Sequence, residues 1–162
     1  MNIKSLNQIL DLAIKQKTRK IAIAASEDIH VLQAVKKAVE LKIIEPILVG
    51  DETLTREIAK EIDFNIDSFT LIDEKNPSMA AKIAVKQVKD GKAEILMKGR
   101  VSSAPLLKAV LNKDIGLKKS KLLSHLALFE TKHYHKLLGL TDAGMNINPE
   151  LNEKVNIHTS IC

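Results

Sequence analysis

Cysteine occurs once in the sequence, as Cys162 at the last position, so no internal disulfide can form. Tryptophan is absent, and the aromatics are Phe64, Phe69, Phe129 and Tyr134, 2% of the residues. Proteins that grip single-stranded nucleic acid stack bases on aromatic rings, so this scarcity argues against that role. No apolar run approaches the roughly 18–20 residues a membrane helix needs. The N-terminal MNIKSLNQIL also lacks the continuous apolar stretch of a signal peptide. Neither a Walker-type loop ending in Gly-Lys-Ser/Thr nor a G-x-G-x-x-G occurs, which removes the common nucleotide-phosphate motifs. These absences predict a soluble, cytoplasmic protein without a membrane or nucleic-acid partner.

What is present fits a globular chain. Of 162 residues, 45% are hydrophobic and 28% charged, so a core can form and disorder is excluded. The net charge of +5 is mild, because 20 acidic residues are interleaved with the basic ones. Lys118, Lys119 and Lys121 form the densest basic cluster. A small polyanionic ligand suits this balance at least as well as a nucleic acid.

Helix and strand patterns alternate along the chain. Leu6, Ile9, Leu10, Ala13 and Ile14 share one face at helical spacing, with Ser5 placed to cap them. Lys20 to Ala25 is an apolar run too short for a helix. Val31, Ala34, Val35, Ala38 and Val39 restore the helical period, Glu45-Pro46 ends it, and Ile47-Leu48-Val49 follows as a strand. Leu54, Ile58 and Ile62 mark a third helix, and Thr70-Leu71-Ile72 the next strand. Asn76-Pro77 reads as an N-cap with proline at the first helical position, ahead of Ala80, Ile83, Ala84 and Val88. Asp90-Gly91 stops that helix before a strand from Glu94 to Lys98. Strands therefore begin near residues 20, 47, 69, 94 and 122. This rhythm predicts an α/β fold, a mostly parallel sheet with helices on both faces. The lysine-bearing stretch around Gly116 is the one candidate boundary, dividing the chain into 1–115 and 116–162.

The segment from Lys98 through Gly99, Arg100, Val101, Ser102, Ser103, Ala104 and Pro105 to Lys108 carries the most chemistry. Open α/β sheets bind ligands beyond the carboxyl ends of their strands. Here a strand ends in a glycine turn, then two hydroxyls, then a helix starting near Ala104. Backbone N–H groups, the hydroxyls of Ser102 and Ser103 and a positive helix end converge, with charge from Lys98 and Arg100 and Lys108 one turn on. That is a donor set for an anion. The same residues also fit a plain helix start, with Ser103 as N-cap and Pro105 in the first turn.

Three further groups have chemistry-bearing side chains. Ser124 and His125 are neighbours in a strand expected over 122–130, where successive side chains face opposite ways. They cannot pair as nucleophile and base, and the alternation lets one line a pocket while the other packs. His133 and His135 could share one side of an extended segment, but two ligands do not close a metal site. A solvated loop is expected there, and no metal. Finally, an apolar strand from Leu137 delivers Thr141, Asp142 and Asn146 into a loop closed by Pro149. Asp142 is either a turn former or, with Asn146, a polar wall of a cleft facing Ser102 and Ser103.

LMKGRVSSAPLLKAVLN, LLSHLALFE and LLGLTDAGMNINPELNEK, in that order and spacing, resemble the phosphate butyryltransferase branch of the phosphate acetyl/butyryltransferase family. The similarity runs from the first helix to about residue 155. It implies transfer of an acyl group between coenzyme A and inorganic phosphate, both as substrates, with no separate cofactor. It implies a fold like isocitrate and isopropylmalate dehydrogenases, two α/β domains around a cleft, in a homo-oligomer. By the resemblance, Ser102 and Ser103 help hold the phosphate together with Lys98, Gly99 and Lys108. Ser124, His125, Asp142 and Asn146 fall at the substrate cleft, the last two on the family's T-D-x-x-x-N segment. Lys108 stands where the acetyl branch tends to have arginine, replacing a bidentate guanidinium with a point charge. Pro105 stands where an acidic residue is common and removes one N–H from the helix start.

The family's catalytic serine and aspartate lie in a second half that this sequence does not contain. No position here inherits those roles, so no catalytic residue is assigned. The resemblance then implies an incomplete fold, weak or absent activity, and an open sheet edge that pairs with another chain. Two other readings fit the same residues. One is a non-catalytic phosphate- or coenzyme A-binding or assembly module; the other is a fold relative acting on a different phosphorylated substrate.

Overall fold

The structure, a computed structural model, describes residues 3–117, 123–142, 144–146 and 148–159. The cluster Lys118, Lys119 and Lys121, the expected strand start at Leu122, and the C-terminal Ile161 and Cys162 lie outside the described residues. In chain order the elements are α1 (Leu6–Ile14), β1 (Arg19–Ala24), α2 (Ile29–Glu40), β2 (Ile44–Gly50), α3 (Glu52–Glu61), β3 (Thr70–Asp73), α4 (Pro77–Lys89), β4 (Ile95–Lys98), α5 (Ser103–Val110), β5 (Ala127–Thr131), β6 (Tyr134–Leu140) and α6 (Leu151–Thr159). They form two compact units: Gln16–Lys118, and Met1–Lys15 together with Lys119–Cys162.

The Gln16–Lys118 unit is a parallel sheet in the order β3-β2-β1-β4. Strand side chains alternate between the two faces, and both faces of this sheet are covered. Ala22 and Ala24 of β1, with Ile47 and Val49 of β2, pack against Ala80, Ala81 and Ala84 of α4. Ile21, Ile23 and Leu48 point the other way, onto Leu32 and Val35 of α2 and Ala59 of α3. Burial on both sides is why β1 and β2 read as continuous apolar runs. Each fully buried branched side chain contributes about 1.5–3 kcal/mol. By contrast, the pairs Arg19–Glu94 and Lys20–Glu45 at the amino edge are half-exposed and screened by solvent, so they add little. The core, not the ion pairs, holds the sheet.

Pro46 lies inside β2 instead of ahead of it, because β3 pairs with β2 only from Ile47 onward. The strand is still an edge at Pro46, so the missing N–H costs no ladder bond to β3.

In the second unit β5 and β6 form an antiparallel hairpin, with Ala127 opposite Leu140 and Phe129 opposite Leu138. This corrects the strand expected over 122–130, which is shorter and is no member of a parallel crossover. Only Lys132 and His133 join the two strands, too few for a crossover but enough for a tight turn. Residues 123–126 are not strand, and the Leu123 carbonyl accepts instead from the Asn146 side chain. Ser124 and His125 therefore precede the strand, and alternation does not govern them. The loop expected at His133 and His135 is corrected too: His133 is in the turn, while His135 belongs to β6 with its ring 5.0 Å from that of Tyr134. The Glu130 carboxylate accepts the N–H of Leu6 at the start of α1. Among the described residues of this unit, only Ile157 is buried. No helix among the described residues is long and apolar enough to cross a membrane.

Candidate functional site

From β1 the chain moves outward through β2 and β3, then returns to place β4 on the opposite side of β1. The strand order reverses between β1 and β4, and ligands of open α/β sheets sit outside the carboxyl ends at such a point. The Lys98–Lys108 segment occupies that place. The Gly99 N–H donates to the Ala24 carbonyl at 2.8 Å, and the Arg100 N–H to the Ala25 carbonyl at 2.6 Å. A Cβ on Gly99 would lie 2.1 Å from the Ala25 oxygen and 2.7 Å from that of Ala24, both rigid backbone. Only glycine fits, and its N–H is committed to the sheet instead of to a ligand. The Lys98 ammonium folds back and donates to the carbonyls of Val101 at 3.0 Å and Gly99 at 3.3 Å. Val101 is buried in the core beneath the turn. The result is a stiff turn that delivers Ser102 and Ser103, both exposed, to the start of α5.

Ser102, not Ser103, is the N-cap of α5, and its side chain caps nothing. Its extended backbone (φ −66°, ψ 156°) makes Ser103 the first helical residue and puts Pro105 third, where no intrahelical N–H is lost. The three crossover helices differ. Asp28 accepts from His30 and Val31 at the start of α2, Asp51 accepts from Leu54 at α3, and Asn76 from Ser78 and Met79 at α4. Asp73 also accepts the Glu52 N–H at 3.0 Å. Among the described residues, the first N–H groups of α5 have no such side-chain acceptor. They carry the partial positive charge of a helix start, roughly half an elementary charge, toward solvent beside two hydroxyls. An anion satisfies that arrangement; the carboxylate-capped helix starts would repel one.

Lys108 lies further along α5 and lines a groove of about 450 Å³ between α4 and α5, together with Ser78, Lys82, Pro105 and Asn112. Ala104 also lines it, but Ser102 and Ser103 do not. The fold thus brings Lys108 alongside Lys82.

The remaining candidate residues lie in the hairpin unit. Asp142 accepts the N–H groups of Met145 at 3.0 Å and Gly144 at 3.3 Å, and the Asn146 side chain donates both to Asp142 and to the Leu123 carbonyl. Desolvation acts to raise the Asp142 pKa. The Met145 N–H, the Asn146 amide, the Gly144 N–H and the charge of nearby His125 outweigh it, so the carboxyl sits below its usual value. Asp142, Asn146 and His125 are brought together here, and Asp142 closes a turn. Ser124 is half-buried just ahead of them.

Sequence reasoning passed over Glu27. It is 6% exposed, and nothing among the described residues donates to its Oε2. A Cβ on Gly50 would lie 2.1 Å from that oxygen, so the glycine at the end of β2 makes the room. Beside it, Ser26 and Thr55 share a buried hydroxyl pair at 3.2 Å. The signal was only an acidic residue directly after an apolar run, and such a residue normally faces solvent. Among the described residues no group of three or more His, Cys, Asp or Glu side chains is placed to hold a metal ion.

The four-stranded parallel sheet, with crossover helices on both faces and a further helix α5 after β4 whose N-cap makes no side-chain cap bond, places the chain in the α/β class. The model of the family described as phosphate acetyl/butaryl transferase matches residues 5–85 and 75–161, and the chain belongs to that family. It is 42% identical over 154 residues to the phosphate butyryltransferase of Clostridium beijerinckii, covering 95% of this chain and 51% of that one. It is 36% identical over 148 residues to a probable phosphate butyryltransferase of Bacillus subtilis, covering 91% and 49%. A branched-chain phosphotransacylase from Enterococcus faecalis V583 superposes with a TM-score of 0.70 at 28% identity, covering 88% and 49%. A phosphotransacetylase from Streptococcus pyogenes has the same fold, with a TM-score of 0.78 over 98% of this chain and 56% of that one, at 21% identity. The chain spans about half the length of the relatives it matches.

Proposed function

We propose that this chain is the phosphate-holding half of an acyltransferase that moves a butyryl or similar short acyl group between coenzyme A and inorganic phosphate. The observation that carries the reading is the uncapped start of α5 at the switch point. Family membership and the names of the relatives support it. Ser102 and Ser103, with the N–H groups at the start of α5, hold the phosphate. Lys98 and Gly99 shape the turn that presents them, and Lys108 adds a point charge. Ser124, His125, Asp142 and Asn146 belong to the substrate cleft.

In the reaction a phosphate oxygen attacks the thioester carbonyl, the C–S bond breaks, and the proton of the hydrogen phosphate ends on the thiol. Positioning of the two substrates supplies much of the rate, and fixed donors stabilise charge on the reacting oxygens. No residue of this chain is assigned as the base. Coenzyme A and phosphate are substrates, and no further cofactor takes part. The architecture follows the isocitrate and isopropylmalate dehydrogenases, with a first domain built on the Gln16–Lys118 unit and a second opened by the residues after it. α1 groups with those later residues and not with the sheet, unlike the division into 1–115 and 116–162. The assembly is a homo-oligomer working in the cytoplasm, where both substrates occur.

Calorimetric titration with phosphate, followed by an assay of thiol release from butyryl-CoA, tests the reading. Phosphate should bind, and the chain alone should release little or no coenzyme A. Absence of phosphate binding would sink the site; robust phosphate-dependent release would refute the assignment as half of the machinery.

A further inference from the structure

We propose that the groove between α4 and α5 is a binding subsite for an organic phosphate, a phosphoryl group carried on an apolar body. The polar side chains that line it offer donors. Lys82 and Lys108 supply two ammonium groups, Ser78 adds a hydroxyl, and no carboxylate is among the lining residues. The Asn112 side-chain oxygen already accepts the N–H groups of Asp114 at 2.8 Å and Ile115 at 3.1 Å. Its NH2 group is what remains for a ligand. Among the described residues neither lysine forms an ion pair, and Lys82 reaches just the Met79 sulfur, at 3.8 Å. The wall helix α4 is capped by the neutral Asn76, where α2 and α3 carry Asp28 and Asp51, so no cap carboxylate offsets the two charges.

Two other surface hollows of the same unit also carry cations, and each matches them with acids. Arg56 and Lys60 line one together with Asp63 and Asp67, and Lys36 and Lys37 line the other together with Glu40 and Glu61. The α4–α5 groove has two positive charges and nothing to balance them. Like charges lining one groove repel each other, and an anion between them removes that cost. Lysine is a point-charge donor that suits phosphate, whereas a carboxylate ligand favours the planar fork of arginine. The remaining wall is apolar, formed by Pro105, Ala109 and Ile115, and inorganic phosphate alone leaves it unfilled. Gly116 fixes this end of the groove. A Cβ there would lie 2.2 Å from the Asn112 carbonyl oxygen and 2.4 Å from that of Val110, so only glycine lets the turn after α5 close. A phosphate ester satisfies both the donors and the apolar wall, and its source is either coenzyme A or a free ester. The inference rests on the groove and not on the acyl-transfer reading.

The test is titration of the isotopically labelled chain with phenyl phosphate, beside phenol, inorganic phosphate and coenzyme A, at constant ionic strength. Phenyl phosphate should give saturable shifts at Lys82, Ala109 and the Asn112 side-chain NH2. Phenol, the body without the charge, and inorganic phosphate, the charge without the body, should each bind there roughly tenfold more weakly or worse. Lys82→Glu should weaken phenyl phosphate about tenfold or more by calorimetry, while inorganic phosphate still shifts Ser102 and Ser103 as in the native chain. Lys89→Glu, the same charge change on α4 outside the groove, should leave both unchanged. Circular dichroism checks that the variants fold. Displacement of phenyl phosphate by coenzyme A upholds the subsite and makes the substrate its source; binding that coenzyme A does not displace upholds it for a free ester. Shifts confined to Ser102, Ser103 and Ala104, equal weakening by the two variants, or phenol bound as tightly as phenyl phosphate would each overturn the proposal. Groove signals that respond while Ser103 ignores inorganic phosphate leave the subsite standing and remove the acyl-transfer reading.

Discussion

The three crossovers of the parallel sheet and the helix that leaves it after β4 begin in opposite chemistry. After β1, β2 and β3 the chain places Asp28, Asp51 with Asp73, and Asn76 at the helix starts, and each start is satisfied internally. After β4 it places Lys98, Gly99, Arg100, Ser102 and Ser103, and leaves the helix start open. All four N-caps have an extended backbone. The difference lies in the side chain at each N-cap, so the contrast teaches that withholding a cap leaves a helix start open.

The largest expected effect comes from the turn that holds the open start in place. Gly99→Ala drives a Cβ into the Ala24 and Ala25 carbonyls, and should destabilise the sheet unit by about 3–4 kcal/mol in urea unfolding. Next is Ser102→Asp, which gives α5 the carboxylate cap that α2 and α3 already have. Phosphate affinity should fall at least tenfold by titration, with stability unchanged or slightly raised. The reciprocal change, Asp28→Ala, should cost about 1 kcal/mol of stability while leaving phosphate affinity as in the native chain.

The smallest effect is confined to the hairpin unit. The pKa of Asp142 is lowered in the folded chain, so its contribution is fully present above the unfolded value of about 4 and is lost as pH falls through the folded value. Amide signals of residues 144–146 should lose protection below that range while those of β1 and β2 persist. Simultaneous loss in both units would show that the Asp142 turn has no independent titration.

The sheet was legible because burial on both faces leaves continuous apolar runs, and because caps such as Asn76-Pro77 are local signals, found where the pattern put them. The hairpin was not legible in its register. Neither face of β5 or β6 is buried, so no two-residue period marks where a strand begins. The candidate site was legible as a donor-rich turn. Which donors are free was not, because the Gly99 N–H is taken by Ala24, 75 residues earlier in the sequence. Glu27 was invisible for a similar reason, since its burial depends on the missing side chain of Gly50.

Amide chemical shifts of the isotopically labelled chain during titration with inorganic phosphate test the central contrast most directly. Saturable shifts are expected at Ser102, Ser103 and Ala104, with none at His30, Leu54 or Ser78 at the capped helix starts. Equal shifts at all four helix starts, or no shift at Ser103 and Ala104, would contradict it.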